Sequence, residues 1–505
     1  MGEDRIRAQV VVVGGGPVGL LVAAELAARA VGTVVIETAS AVGEQPKATT
    51  LHARAVQCLA RRGHLPAGVS PYVGGATPFR FGGLPGLVIT APEGEPEPIL
   101  KYPQAELERL FEERARRAGA RILREHRVTG VVQGPDGVRI TAEGPHGPVT
   151  CVSEYVVGAD GARRSTVREQ AGIESETYLA TVAAMAGTVT LAQPASLTPG
   201  WHRTPRGWIV AKAVAGGRTH LRTFNGLGAH ADRNRALSLA ELRREVSWIA
   251  GRDIAMEAPR WLSRFSDFTR VARSFRAGRV FLVGDAAHVH FPIGGQGLSS
   301  GVLDALNLGW KLALAVHGAA GPELLDSYDL ERRPAAWHVV SNTQAQLAMM
   351  REGAEADALR AVFTGILAAD PTGVYLGDMI SGQDTVLPEP TGWTAPGTGK
   401  FLHNVPLRTA TGETDVIGLL QDGRPLLLLF GEKGSSYRDE ARRWEGALHV
   451  VHAVPTPDVP QEALLVRPDG YIAWAPGGDG LSVALSAYLA EGAGAGHRRR
   501  SRSRV

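Results

Sequence analysis

The chain has 505 residues, of which 44% are hydrophobic and 21% charged, a composition typical of a folded protein with several cores. Its formal charge of +3 is smaller than the charge of the five arginines after His497, so the rest of the chain is slightly acidic and no nucleic-acid surface is expected. The only two cysteines, Cys58 and Cys151, exclude a disulfide scaffold and a thiolate metal site.

The most apolar N-terminal stretch covers residues 10–30. It is interrupted by three consecutive glycines, Pro17, Glu25 and Arg29. A signal peptide or a membrane span would need an uninterrupted apolar run. The sequence therefore predicts a cytoplasmic protein that does not enter membranes.

The first elements along the chain form a predicted β-α-β unit. Residues 9–13 are a run of mostly β-branched side chains next to glycines, which is typical of a buried parallel strand. Pro17 is tolerated in the first turn of a helix, and the alanines that follow allow close contact with a sheet. Gly32 permits the turn into a second strand over residues 33–37.

The next elements alternate between helices and strands. We predict strands over 121–157, an inserted β-sheet in 178–275, a strand at 279–283, and helices over 47–65, 104–118 and 299–316. The fold class is therefore α/β: a discontinuous Rossmann-like domain (1–177 with 276–387) interrupted by a β-sheet domain (178–275).

A stretch rich in proline and glycine, residues 388–399, predicts a linker to a further unit over 400–491. In this unit we predict strands at 426–430, 449–454, 463–466 and 471–474, and helices at 437–445 and 481–489. Their order resembles a thioredoxin-like domain without its cysteine pair, which excludes thiol redox exchange. Residues 492–505 are predicted to be a disordered basic tail without a function of its own.

A dinucleotide motif lies in the first β-α-β unit. Gly14-x-Gly16-x-x-Gly19 follows a predicted strand and opens a helix, with Pro17 and Val18 inside it, and Glu37 ends the next strand. The glycines let the backbone approach a pyrophosphate, and an acid at this place accepts hydrogen bonds from a ribose. Because a carboxylate repels a 2′-phosphate, the motif favours FAD or NAD over NADP as the bound nucleotide.

Two further motifs follow predicted strands. Asp160 and Gly161 stand in the segment 158–168, and Asp285 stands in 284–288, which is followed by the glycine-rich run 292–298. Each motif alone is compatible with a structural turn, but turns do not explain why they occur together in this order.

This combination, with residues 304–311, resembles the class A flavoprotein monooxygenases of the para-hydroxybenzoate hydroxylase-like group. The similarity extends over residues 8–345. With the C-terminal unit and the segment 465–470, the chain is most similar to the aromatic polyketide hydroxylases.

The resemblance implies a tightly bound, non-covalent FAD in the Rossmann-like domain. It implies Glu37 on the adenosine ribose, Lys47 and Gln104 near the FAD phosphates or ribityl chain, and Asp285 on the ribityl hydroxyls. Lys47 replaces the more usual Arg, which keeps the charge and loses bidentate contact. Asp160 and Gly161 would support FAD and the approach of a transient NADPH or NADH.

The glycine-rich run is expected to meet the flavin ring. The N–H groups of Gly297, Leu298 and Ser299 at a helix start favour negative charge, as on a reduced flavin. Pro292 and Gly295 would lie at the reacting edge of the ring. The family usually has Leu-Asn-Thr where this chain has Leu-Ser-Ser at 298–300.

The implied reaction is hydroxylation of a phenolic or quinonoid polycyclic substrate with O₂ through a flavin C4a-hydroperoxide. The substrate should lie between the inserted sheet and the flavin, with Trp208, His220 and Phe224 as candidate contacts. A Baeyer–Villiger insertion, or a flavin oxidase or reductase without oxygen transfer, remain alternatives. We expect a monomer or a homodimer.

Three other interpretations fit single motifs only. Gly297-x-Ser299-x-Gly301 matches a serine hydrolase pattern but lacks a strand leading directly into the serine. Asp285, His288 and His290 have no further acid or cysteine that completes a metal site. An NAD-binding scaffold would explain the first glycine motif alone.

Overall fold

The computed structural model describes residues 4–45, 47–162, 164–228, 235–369, 374–388 and 395–490, and the predicted α/β fold class is confirmed. Residues 10–13 are buried on both faces near the centre of a six-stranded sheet. All its strands are parallel except the first of this order: Arg276–Ala277, Val280–Leu282, Tyr155–Gly158, Val10–Val13, Thr33–Ile36 and Arg121–Leu123.

The helices of the Rossmann-like part begin close to the predicted positions. The helix after the glycine motif packs against the long helix that follows the glycine-rich run. The predicted helix over 47–65 is shorter, because Thr50–His52 pairs as a strand with Ile99–Lys101. The helices are Pro17–Ala27, Ala53–Arg61, Gln104–Arg117, Thr166–Gln170 and Gly297–Val316.

Two smaller sheets complete this part. The first contains Asp4–Arg7, Gly147–Ser153, Gly137–Gly144 and Arg127–Gly134, and the second contains Ser175–Tyr178, Thr269–Ala272 and His288–Val289.

The inserted β-sheet has five antiparallel strands in the order Gly200–Thr204, Gly207–Val214, Arg218–Asn225, Ala183–Leu191 and Met256–Ser266. Side chains alternate between its faces. One face packs on a helix, Leu239–Ala250, which begins with a capping box between Ser238 and Glu241. The other face is turned toward the Rossmann-like part.

A hairpin and three helices within the Rossmann-like part have no counterpart in the sequence-based prediction. The strands Gly75–Phe81 and Leu84–Ala91 form this hairpin, which lines one side of a cavity whose other side is the inserted sheet. Three helices, Ser327–Met350, Ala354–Ala369 and Val374–Ser381, pack around that hairpin and against one another. None of the described helices is both long and apolar enough to span a bilayer.

The C-terminal unit has a six-stranded sheet with Gly412–Asp415, Pro406–Thr409, His449–Ala453, Leu426–Phe430, Ala463–Val466 and Ile472–Trp474 in spatial order. Its helices are Val416–Leu420, Gly431–Ala441 and Leu481–Tyr488. The charged helix therefore begins at Gly431, before the predicted 437–445, and directly after a strand. The predicted tail, 492–505, and part of the linker, 389–394, lie outside the described residues.

A buried charged cluster joins this unit to the Rossmann-like part. We call Lys311, Glu331, Arg467 and Asp469 the docking cluster. Arg467 donates two hydrogen bonds of 2.8 Å to Glu331 and contacts Asp469 at 2.6 Å. Lys311 lies 2.8 Å from Glu331. The C-terminal unit is thus fixed by buried ion pairs and not only by a linker.

Candidate functional site

The glycine motif forms the turn between the first buried strand and its helix. Gly14 has a φ of +111°, and a Cβ atom there would lie 2.2 Å from the Ala159 carbonyl oxygen. A Cβ on Gly19 would lie 2.1 Å from the Gly14 oxygen, whereas a Cβ on Gly16 would meet no atom within 4 Å. Gly14 and Gly19 are therefore needed by the fold, and Gly16 faces open space where a phosphate can approach the helix start.

Glu37 lies beside this turn. Its carboxylate accepts hydrogen bonds from the N–H groups of Gly15, at 2.5 Å, and Ala39, at 2.7 Å. These bonds fix the carboxylate next to the glycine turn, and its remaining lone pairs are available to a ribose hydroxyl.

Val18 brings the first and third motifs together. Its side chain packs against Gly284, and a Cβ on Gly301 would lie 2.6 Å from Val18 Cγ2. Gly301 is in the first turns of the helix Gly297–Val316. The three small or β-branched residues therefore bring the Asp285 turn and this helix close to the nucleotide-binding turn.

The Asp160 side chain forms hydrogen bonds within its own loop. Its carboxylate accepts hydrogen bonds from the Ser165 hydroxyl at 2.6 Å and the Val167 N–H at 3.1 Å. Burial raises the pKa of Asp160, although these hydrogen bonds oppose the rise. Gly161 has a φ of +85° and open space where a Cβ would be. The cofactor contact predicted for both residues stays a prediction.

Asp285 lies in the turn Gly284–Ala286, which follows the strand Val280–Leu282. Its surface is exposed, yet enclosure by the protein raises its pKa, with His288 and Lys47 opposing the rise. Its carboxylate forms no hydrogen bond with the described residues, in contrast to Glu37 and Asp160. Lys47 is exposed and within electrostatic reach of Asp285, and the N–H of Gln104 donates to the Ala48 carbonyl at 3.0 Å. The FAD contacts predicted for Lys47, Gln104 and Asp285 stay predictions.

The glycine-rich run forms a tight loop after the strand His288–Val289. Gly294 and Gly295 have φ values of +76° and +69°, which favour glycine. Pro292 is exposed on the loop, and both Pro292 and Gly295 border the main cavity.

The helix that follows has no side-chain cap. Gln296, at the N-cap, donates its amide to the Ile380 carbonyl at 3.1 Å instead. The N–H groups of Gly297, Leu298 and Ser299 have no acceptor within the helix, because the first turn offers none. Such a helix start favours an anionic or electron-rich group in front of it.

The main cavity has a volume of about 500 Å³ and lies between the loop 292–295, the inserted sheet and the hairpin. Its walls carry six aromatic side chains: Phe79, Trp201, Trp208, Phe224, Phe265 and Phe291. A flat apolar ring system fits such walls.

Two of the three predicted substrate contacts, Trp208 and Phe224, line this cavity. His220 does not line it, but stacks on Trp261 with 5.8 Å between ring centroids. His220 is on the same face of the strand as Arg222 and Phe224, two residues before Arg222. The hairpin residue Phe79 was not predicted, because nothing in the sequence links the hairpin to this cavity.

The competing interpretations find no support in the geometry. The Ser299 hydroxyl oxygen accepts a hydrogen bond from the His52 N–H at 3.0 Å, while the His52 imidazole binds the Gly294 carbonyl, so no nucleophile–base pair exists there. His288 contacts Asp304 at 2.7 Å. The described residues contain no group of three or more side chains that could hold a metal ion.

Comparison with protein families identifies the chain. Residues 7–343 match the family described as FAD binding domain, and residues 395–495 match the family described as aromatic-ring hydroxylase, C-terminal. The chain belongs to the FAD-binding aromatic-ring hydroxylases. The resemblance drawn from the motifs is thereby confirmed, and the cofactor is FAD.

Relatives cover almost the whole chain. The 12-dehydrotetracycline 5-monooxygenase/anhydrotetracycline 6-monooxygenase of Streptomyces rimosus subsp. rimosus is 35% identical, over 96% of this chain and 99% of its own. The dialkyldecalin synthase of Streptomyces rugosporus is 36% identical, over 95% and 98%. A solved structure of an aromatic hydroxylase from angucycline biosynthesis has a TM-score of 0.86 at 34% identity, over 95% and 98%.

The residues present fit FAD. Gly16 leaves open space at a helix start for the phosphates, and Asp285 offers a carboxylate that the described residues leave unpaired. The uncapped helix start at Gly297 suits an electron-rich ring edge. These three features of the hydroxylase are each compatible with a bound FAD.

Proposed function

We propose that this hydroxylase is an NAD(P)H- and O₂-consuming monooxygenase that hydroxylates a phenolic or quinonoid polycyclic substrate, an aromatic polyketide, in the cytoplasm. The observation that carries the proposal is the position of the aromatic cavity. It ends at Pro292 and Gly295, directly before the helix start that suits the flavin ring.

When bound, FAD would accept the hydride and activate oxygen. The protein's own residues bind the cofactor and the substrate and orient them. Gly16 admits the phosphates, Asp285 accepts hydrogen bonds from ribityl hydroxyls, and the helix start at Gly297 stabilises negative charge. The aromatic walls exclude water and hold a flat substrate ring at the loop 292–295.

The relatives support this activity without naming the substrate of this chain. One relative is a tetracycline-type monooxygenase, and another, of similar identity, is a dialkyldecalin synthase. Ring formation without oxygen transfer is therefore the second candidate function, and it differs from the first in needing neither NAD(P)H nor O₂.

The test uses FAD-loaded enzyme, NADPH or NADH, and a panel of fused-ring phenols and quinones under ¹⁸O₂. We expect at least one compound to stimulate NAD(P)H oxidation and to gain one labelled oxygen by mass spectrometry. NMR of the product then distinguishes a ring hydroxyl from the ester of a Baeyer–Villiger insertion. Product formed without label or without NAD(P)H would contradict the proposal and favour the synthase activity.

A further inference from the structure

The aromatic cavity is lined by three basic side chains in addition to its apolar walls. Arg80 from the hairpin, Lys101 from the strand beside the loop 292–295, and Arg222 from the inserted sheet all line it. We call these three residues the basic cluster. All three are exposed to the cavity, and none of the described lining residues is an aspartate or a glutamate.

The basic cluster lacks acidic partners. Within the described part of the chain, its hydrogen bonds go to neutral acceptors at 2.8 to 3.3 Å: a carbonyl for Arg80, a hydroxyl for Lys101 and an imidazole for Arg222. Arginines on the outside of the same inserted domain do form ion pairs, Arg203 with Asp357 and Arg243 with Asp253. The three residues of the basic cluster thus differ from these two arginines in having no carboxylate partner among the described residues.

The like charges also act on one another. Burial lowers the pKa of Lys101, and Lys212 and Arg222 lower it further. Lys212 is the cross-strand neighbour of His220, one step from the cavity wall. A group of cations that repel one another beside an apolar cavity is stabilised by a bound anion.

We propose that the cavity binds its substrate through an anionic oxygen, of an ionised phenol, enol or carboxylate, that is held by Arg222 together with Lys101 and Arg80. The ring system of the substrate packs on the aromatic walls, and the guanidinium of Arg222 can offer two parallel N–H groups to the anion. The inference rests on the proposed function for the statement that the ligand is the substrate.

His220 is a positioning residue for Arg222. Its Nε2 accepts the hydrogen bond from Arg222 Nε at 3.3 Å, and its Nδ1 lies 3.0 Å from the Thr188 hydroxyl. Burial, aided by Arg222 and Lys212, lowers the pKa of His220 to about 4, so the imidazole is neutral and Nε2 can accept. Stacking on Trp261 fixes the ring plane.

The test compares two probes of equal shape, anthraquinone-2-carboxylate and anthraquinone-2-carboxamide, by perturbation of the flavin absorbance of the FAD-loaded enzyme. We expect the wild type to bind the carboxylate about tenfold more tightly than the amide, as for one hydrogen-bonded charge. Arg222→Gln should remove most of this preference and change amide binding less than twofold. Equal weakening of both probes, or no preference in the wild type, would overturn the proposal.

Arg218 provides the matched control. It lies four residues before Arg222 on the same face of the same strand, and it does not line the cavity. Arg218→Gln removes the same charge and should leave the carboxylate preference intact. A loss as large as that of Arg222→Gln would show a diffuse charge effect instead of a binding site and would contradict the proposal.

Variants of His220 test its positioning role. His220→Phe keeps a ring against Trp261 but loses the acceptor, and should weaken the carboxylate about threefold without affecting the amide. His220→Gln restores an acceptor and should recover part of the loss. A weakening of both probes by both variants would indicate a purely structural role and contradict the assignment.

A phosphate of the nicotinamide nucleotide is the other source of an anion. If Arg222→Gln lowered affinity for NADPH relative to NADH and kept the carboxylate preference, the cluster would serve the nucleotide and the proposal would fail. Probe binding needs no turnover, so absence of labelled oxygen from every product would refute the monooxygenase activity separately from the charge preference.

Discussion

Asp285 and Asp304 are close to each other in the fold, but their carboxylates have different surroundings. Asp304 is fully buried and contacts the Gly284 N–H, His288 and Arg332 at 2.7 to 3.0 Å. Burial opposes its ionisation, but His288 and Arg332 outweigh burial and lower the pKa of Asp304. Asp285 has electrostatic neighbours, His288 and Lys47, but its carboxylate has no hydrogen-bond partner among the described residues. Asp304 therefore holds the loop together, while Asp285 remains available to a ligand.

Replacing Asp285 should affect cofactor binding and not folding. We expect Asp285→Ala to weaken FAD binding at least tenfold, because a hydrogen bond to a charged group contributes about 1.5–3 kcal/mol. The flavin content after purification and a titration of apoprotein with FAD measure the effect. Asp253→Ala, on an exposed ion pair, is the control. Normal flavin content in Asp285→Ala would disprove the ribityl role.

The sequence predicts candidate site residues where the pattern that marks them is local. The glycine motif, Glu37 and Asp285 each follow a buried strand, so short-range patterns locate them. The basic cluster could not be predicted, because Arg80, Lys101 and Arg222 come from a hairpin, a short strand and the inserted sheet. Only the folded chain brings them to one cavity.

At the scale of elements, the glycine turn combines two requirements. Gly14 has a left-handed φ, and any side chain there would meet the backbone of the neighbouring strand end at Ala159. Gly16 has no such neighbour. The turn therefore combines a glycine that the fold needs, Gly14, with one, Gly16, that is predicted to admit the cofactor phosphates.

Alanine substitutions at these two glycines should separate the two requirements. Gly14→Ala should give insoluble or strongly destabilised protein, because its Cβ overlaps a carbonyl group and its φ is strained. Gly16→Ala should fold with a melting temperature near that of the wild-type apoprotein but retain less FAD. Thermal unfolding and flavin content report the two effects. Equal behaviour of both variants would contradict the division.

The long helix Ser327–Met350 was missed because it contains Pro334. An interior proline removes a backbone hydrogen bond and costs about 3 kcal/mol, so it argues against a helix in a sequence. Burial of many residues of this helix offsets that cost. Tertiary packing of this kind leaves no trace in a short window of sequence, whereas the β-α-β unit does.

His338 connects this helix to the segment after Val374–Ser381. Its hydrogen bond with Asp384, at 3.2 Å, raises the pKa of His338. A raised pKa stabilises the fold below the unfolded value of about 6.5, and this stabilisation is lost as the pH rises through the folded value. Because both side chains are partly exposed, the effect is a fraction of a kcal/mol.

We therefore expect His338→Gln to lower the melting temperature by about 1 °C at pH 6 and to have no effect at pH 9. Asp384→Asn should show the same dependence on pH. A difference that grew with rising pH would contradict the sign of the pKa shift.

At the scale of the whole molecule, the docking cluster joins the C-terminal unit to the Rossmann-like part through buried ion pairs. Arg467 is buried and contacts two carboxylates, Glu331 and Asp469. Burial lowers the pKa of Lys311 to about 8, although Glu331 opposes the shift. Removing one partner from such a cluster leaves an uncompensated buried charge.

Arg467→Ala should accordingly reduce the free energy of unfolding by about 3–5 kcal/mol. Urea unfolding measured by tryptophan fluorescence tests this, with Arg438→Ala on the exposed surface of the same unit as control. A loss below about 1 kcal/mol would mean that the unit is attached through other contacts.

The helix Gly297–Val316 links distant parts of the molecule. It begins directly after the glycine-rich loop 292–295, and further along it Asn307 and Trp310 both donate to Asp469 of the C-terminal unit at 3.3 Å. A chimera that joins a foreign C-terminal unit after Leu387 would place these donors against unmatched side chains. We therefore expect exchange of C-terminal units between related hydroxylases to give stable protein only when the complementary positions of this helix are exchanged with them, so a recombination point between the two segments would be unfavourable.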